Sequence, residues 1–144
     1  MLRLSNRGRY AVRAVFDLAV HRDAPVQVRD VAARQHIPLR FLEQIFQSLK
    51  RAGLVESKRG PRGGFTLARA ADEVRLGDVL RAVEGPVVLG APKKRSGRDV
   101  TDAVLDDLAR SVEQCFDGVT IEDVCARRER VLVASSRSKN EYVI

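Results

Sequence analysis

Arg40, Glu43, Gln44 and Gln47 recur at intervals of three and four residues along PLRFLEQIFQSLKRAG, with Lys50 and Arg51 one turn further on. At that spacing they share the wet face of a helix. A forked donor, a carboxylate and two amides side by side suit patterned hydrogen-bonding edges. Just downstream, Lys58-Arg59-Gly60-Pro61-Arg62-Gly63-Gly64 puts three cations on a tip whose other residues turn the backbone sharply. The two features imply a pair of probes for DNA with different chemistry. Enzymatic chemistry is not indicated. The carboxylates Asp102, Asp106, Asp107 and Glu113 fall on a solvated helix face, and no nucleophile lies beside a base. His21 and His36 fall at helix ends, where surface or capping roles are expected.

The elements that must position these residues follow from periodicity. Phe41, Leu42, Ile45, Phe46 and Leu49 predict the buried face of the probing helix, and Gly53 stops it. Leu54, Phe65 and Leu67 are apolar positions of two short strands that form a hairpin around the cationic tip. Upstream, Ser5 or Asn6 caps a first helix, about Arg7 to His21, with Ala11, Ala14, Val15, Leu18 and Ala19 inside. A second runs from Val28 to Gln35, and His36-Ile37-Pro38 turns the chain into the third. The fold class expected is mostly α with a small β-hairpin wing: a winged helix-turn-helix over residues 1–85 followed by C-terminal dimerisation helices.

Beyond Leu76, Val79, Leu80 and Val83 the pattern changes. Residues 86–100 hold two Pro, two Gly and four cations and read as a loop or linker. A longer helix is expected from Asp99 or Thr101 to Asp117, and Thr120 with Asp123 caps a last one carrying Ile121, Val124, Cys125, Val131 and Leu132. The dimerisation helices occupy 101–134, and 135–144 reads as a frayed, flexible tail. Val104, Leu105, Leu108 and Val112 give the first of these helices more apolar surface than one following helix covers. Packing against a second copy is therefore expected, the alternative being a fold back onto the winged domain.

Charge agrees with a polyanionic partner. Residues 1–74 carry 14 Lys and Arg against 7 Asp and Glu, whereas residues 75–144 carry 12 of each, so the whole excess of +7 lies on the helix-and-hairpin half. Each neutralised phosphate releases counterions and adds affinity blind to sequence. An Arg-rich but merely solvated surface is the alternative. The chain has no apolar run near the roughly 20 residues a membrane span needs, and a cytoplasmic location is expected.

Arg3-Leu-Ser-Asn-Arg-Gly-Arg-Tyr-Ala-Val, Phe41-Leu-Glu-Gln-Ile-Phe, Gly53-Leu-Val and Arg59-Gly-Pro-Arg-Gly-Gly-Phe resemble the bacterial winged-helix transcription regulators that include IscR, NsrR and CymR. The resemblance spans residues 2–85 closely and 100–134 more loosely. It implies a dimeric transcription regulator of double-stranded DNA, with Arg40, Glu43 and Gln44 toward base edges and Arg59 in a minor groove; repression is the mode expected. Glu accepts from cytosine N4, Gln pairs with adenine, and a narrow A·T groove attracts Arg. Lys58, Arg62, Arg7 and Tyr10 are then phosphate contacts, which fix register. Pro38 departs from the small polar residue common there and removes a hydroxyl.

In cluster-binding members three closely spaced cysteines lie in the loop equivalent to 86–100, and this chain has none there. Its two cysteines, Cys115 and Cys125, could complete a four-thiolate site only by sharing across a dimer. No cofactor is therefore expected, with an iron–sulfur cluster of unusual ligation as the minor alternative. Both cysteines lie on apolar stripes and are read as core packing or as redox sensors. The signal expected is redox, sulfur, iron or a protein partner, and a module that binds a metabolic enzyme is the competing function.

Overall fold

The computed structural model describes residues 2–90 and 99–141. Six helices and one hairpin follow in order: α1 Asn6–Val20, α2 Val28–Gln35, α3 Leu39–Arg51, β1 Val55–Lys58, β2 Gly64–Leu67, α4 Leu76–Glu84, α5 Val100–Asp117 and α6 Ile121–Glu141. Most of the 86–100 loop, residues 91–98, and the tail's end, 142–144, lie outside the described residues.

α1 is the centre of the winged domain because its apolar stripe is almost continuous. Ala11, Ala14, Val15, Leu18 and Ala19 are all buried, and the small alanines let α2, α3, α4 and α6 approach it. Ser5 caps α1 by accepting from the Gly8 amide at 3.2 Å. α3 adds Leu42, Ile45, Phe46 and Leu49 to the same core, each such side chain worth about 1.5–3 kcal/mol when buried. Between α2 and α3 the chain reverses at His36, a non-glycine residue at φ 54°, and buried Ile37 plugs the turn by donating to Ala32 O at 3.0 Å.

β1 and β2 pair antiparallel, with Val55 opposite Leu67 and Lys58 opposite Gly64. The chain before α2 adds a third, one-residue rung, since Val26 and Phe65 exchange backbone hydrogen bonds of 2.9 and 2.7 Å. Gly64 is required there. Its φ is +148°, and a Cβ would sit 2.5 Å from Val26 O. Phe65 also stacks on Phe46 at 4.6 Å between centroids, which fixes the hairpin to α3.

α6 starts inside the core. Ile121 donates to Val74 O at 2.8 Å, Ile121 and Cys125 are buried, and Thr120 and Asp123 form the reciprocal cap expected of them, at 2.9 and 3.1 Å. Arg81 on α4 joins α5 through Asp117 at 2.6 Å while also pairing with Asp78. α6 then runs on through Ser135 to Glu141, where the sequence predicts fraying. From Arg127 to Lys139 every residue is exposed, so this part of the helix has left the body of the chain.

Candidate nucleic-acid interface

An α-helix advances about 100° per residue. On α3 the buried Leu42, Ile45, Phe46 and Leu49 define one side, and Arg40, Gln44, Gln47 and Arg51 stand opposite, all exposed. Glu43 lies on the flank beside Gln47, where both line a concavity with Val28 and Phe65 next to the hairpin. Lys50 Nζ donates to Ser57 Oγ at 2.8 Å, a second tie between α3 and β1. The probing face of the helix and the hairpin therefore belong to one rigid unit.

The other flank corrects the sequence reading. Phe41 was expected in the buried stripe, yet it is 56 % exposed. Leu42, Ile45, Phe46 and Leu49 already fill the stripe, and Phe41 projects about 100° away from it toward the start of α1. There it lines a concavity of about 270 Å³ with Asn6, Arg7, Tyr10, Gln44 and Ile45. Arg7 holds this flank by donating to the near-buried Ser48 Oγ at 2.9 Å. Tyr10 is half-buried beneath the Arg13 guanidinium, 5.8 Å from its ring centroid.

Lys58, Arg59 and Arg62 are exposed at the hairpin tip, whose turn is closed by Gly63 N donating to Gly60 O at 2.9 Å. A Cβ on Gly63 would lie 2.1 Å from Lys58 O, so only glycine allows the backbone to cross this closely. Among the described residues none forms an ion pair with Arg40, Lys58, Arg59 or Arg62. These cations are thus available to an external anion. Their number and placement fit phosphates and groove edges far better than a small ligand.

A positioning network escaped the sequence reading. Asp17, 1 % exposed, accepts two bonds from Arg34, at 2.7 and 3.1 Å, and one from Gln35 at 3.0 Å. His21 Nδ1 lies 2.9 Å from Asp17 O. Burial alone would raise the Asp17 carboxyl, but the Arg34 and Gln35 hydrogen bonds and the Arg34 charge outweigh it and hold the group below the usual carboxylate range. Arg13 also reaches Gln35 O. The angle at which α2 leaves α1, and with it the presentation of α3, depends on this cluster. The one sequence signal was an Asp inside the apolar run AVFDLAV.

These features meet in one surface: a polar helix face, an unpaired cationic tip beside it and a helix-turn-helix that presents both. Residues 4–127 match the Rrf2 family, described as an iron-dependent transcriptional regulator. This chain belongs to the Rrf2 family. It is 36 % identical over 146 residues to the HTH-type transcriptional regulator IscR of Erwinia tasmaniensis, covering 97 % of this chain and 88 % of that relative. Its fold is similar to that of T. potens IscR, with a TM-score of 0.78, 34 % identity and 90 % of each chain covered. It is also similar to CymR, the global cysteine regulator of B. subtilis, with a TM-score of 0.75, 28 % identity and 88 % and 98 % of the two chains covered. This Rrf2 chain is accordingly a winged-helix, DNA-binding transcription regulator and not an enzyme. Among the described residues no helix is long and apolar enough to cross a membrane.

The iron in the Rrf2 description raises the question of whether the donors here fit a cluster. They do not. The chain has two cysteines, and among the described residues no three His, Cys, Asp or Glu side chains come together as metal ligands. Cys125 is packed against the core, where burial, and then the Glu122 carboxylate, push its thiol up and away from the thiolate a cluster needs. Cys115 was expected on a covered stripe but is exposed. It lies two turns beyond Leu108, on the same exposed side of α5. Val104, Leu105 and Leu108 are likewise exposed, whereas Val112 lines a groove of about 380 Å³ with Leu2, Leu4 and Phe116.

Proposed function

We propose that this chain represses transcription as a homodimer that reads two half-sites, with α3 in the major groove and the hairpin tip against the flanking minor groove. The observation that carries the reading is the adjacency of an exposed polar face on α3 and a cationic tip with no protein partner. Arg40, Glu43, Gln44 and Gln47 are assigned to base edges and Arg59 to a narrow A·T minor groove. Lys58, Arg62, Arg7 and Tyr10 are assigned to phosphates.

Support for the homodimer comes from Val104, Leu105 and Leu108 on α5 and Val131 and Leu132 on α6, an exposed apolar surface that a two-fold related copy would cover. Two copies so joined would present paired recognition helices to a symmetric operator. The regulator is proposed to work without an iron–sulfur cluster, in the cytoplasm, and to take its redox, sulfur or protein signal through the C-terminal helices. Cys115 lies on the same face of α5 as Leu108, so a change at either would alter the spacing of the half-sites.

The test is to incubate the reduced, full-length protein with sheared genomic DNA and sequence the retained fragments. Enrichment of a few promoter regions sharing a two-fold symmetric site is expected, and transcription from them in a purified system should fall as protein is added. Uniform recovery of all fragments overturns sequence-specific binding. A rise in transcription overturns repression.

A further inference from the structure

Phe41 is a large aromatic exposed in the middle of a cationic and polar surface, and folding does not explain it. Burying such a ring in the core would be favourable, yet it faces solvent on the recognition helix, one turn before Gln44 and beside Arg40. Its surroundings are built. Ile45 and the half-buried Tyr10 form the apolar floor of the concavity that Phe41 walls, and Arg7, fixed by its bond to Ser48, and Asn6 close the opposite side. The space is therefore apolar at one edge and polar or cationic at the rest.

The DNA major groove offers one exposed apolar group to a side chain: the C5-methyl of thymine. An i, i+3 pair on a helix has Cβ atoms about 5–6 Å apart, and bases on a strand rise about 3.4 Å each. A base met by Gln44 and a thymine met by Phe41 are then one or two steps apart. We propose that Phe41 is a specificity-determining residue that packs on a thymine C5-methyl in each half-site. This rests on the assignment of α3 to the major groove. Phe41 discriminates thymine from cytosine, which lacks the methyl, and Arg7 on the adjoining phosphate holds the strand in that register. The competing occupant of the same concavity would be an apolar side chain of a protein partner.

The experiment takes the operator recovered from the protein's own genome and replaces its thymines one at a time with deoxyuridine, which removes the methyl and leaves base pairing intact. Wild type should lose affinity about four- to tenfold at one symmetric pair of thymines, the range expected for one buried methyl group. At other thymines the change should be small. Phe41→Ala should bind the all-thymine operator less tightly and be indifferent to deoxyuridine at that pair, while Phe41→Leu keeps part of the sensitivity. Because Phe41 is exposed, its variants should keep the wild-type melting temperature and salt-dependent binding to non-specific DNA. The proposal is overturned if wild type ignores every deoxyuridine, or if wild type and Phe41→Ala lose equally at the same position. If wild type shows no preferred duplex at all, the placement of α3 in the major groove fails and the inference falls with it.

Discussion

Arg34 on α2 grips the buried carboxylate of Asp17 on α1 through two nitrogen–oxygen contacts, Nη2 to Oδ1 at 2.7 Å and Nε to Oδ2 at 3.1 Å. The pair ties α2, and with it the turn into α3, to α1. Asp17→Asn removes the charge and leaves the guanidinium poorly matched, with an expected loss of about 1–3 kcal/mol. For a chain of this size that lowers the melting temperature by roughly 2–4 °C per kcal/mol.

The same pair has a pH signature. Asp17 is depressed in the folded state, so its stabilisation is complete above the unfolded value of about 3.9 and is lost as pH falls through the lower folded value. Melts of wild type and Asp17→Asn should differ at pH 7 and draw together below about pH 4. A gap that stays constant from pH 7 to pH 2 would show that Asp17 is not the responsible charge.

Gly64→Ala should loosen the hairpin from the chain before α2. At φ +148° with Val26 O only 2.5 Å from the new methyl, the substitution strains the rung between the chain before α2 and β2. A cost above about 1 kcal/mol is expected. Amide exchange should rise at Val26 and Phe65, the two residues whose backbone groups are bonded there, with little change in α1.

Arg59→Ala and Glu43→Ala should behave differently. The first should weaken binding to A·T-flanked operators about tenfold and reduce the dependence of log affinity on log salt by about one phosphate equivalent. The second should relax the preferred sequence more than it lowers affinity, because a carboxylate discriminates bases but repels phosphate. Competition binding on randomised duplexes at two salt concentrations measures both. Equal binding of every sequence by both variants and wild type would refute the assignment.

Leu108, 51 % exposed on α5, tests the homodimer. Leu108→Glu should shift the sedimentation of the full-length chain to that of a monomer and abolish binding to paired half-sites. Alkylation of Cys115 should be slow in the wild-type dimer and faster in this variant, since the two residues share one face of the helix. Cys125, packed in the core, should react only on unfolding in either protein. An unchanged sedimentation coefficient would place the dimer contact elsewhere.

The sequence by itself determined the order of helices and hairpin, a cap for α1 at Ser5 or Asn6, the cap at Thr120 and the polar face of α3. Each of these depends on residues within a turn or two of one another: a 3.6-residue period, a hydroxyl three residues before an amide, a Gly where the backbone must turn. Cation excess in residues 1–74 is equally local, and it pointed to DNA before any contact was known. Only the tertiary structure decided the rest. Phe41, Cys115, Val131 and Leu132 are apolar by type, and whether an apolar residue is covered depends on which neighbour occupies its side of the helix, which periodicity cannot state. Asp17 shows the converse. A carboxylate in an apolar run reads as a misfit until Arg34, 17 residues away, arrives to pair with it. The hairpin's hold on α3 through Phe46 and Phe65 is of the same kind, since two rings 19 positions apart meet only once the turn at His36 and the Val26 rung have placed them.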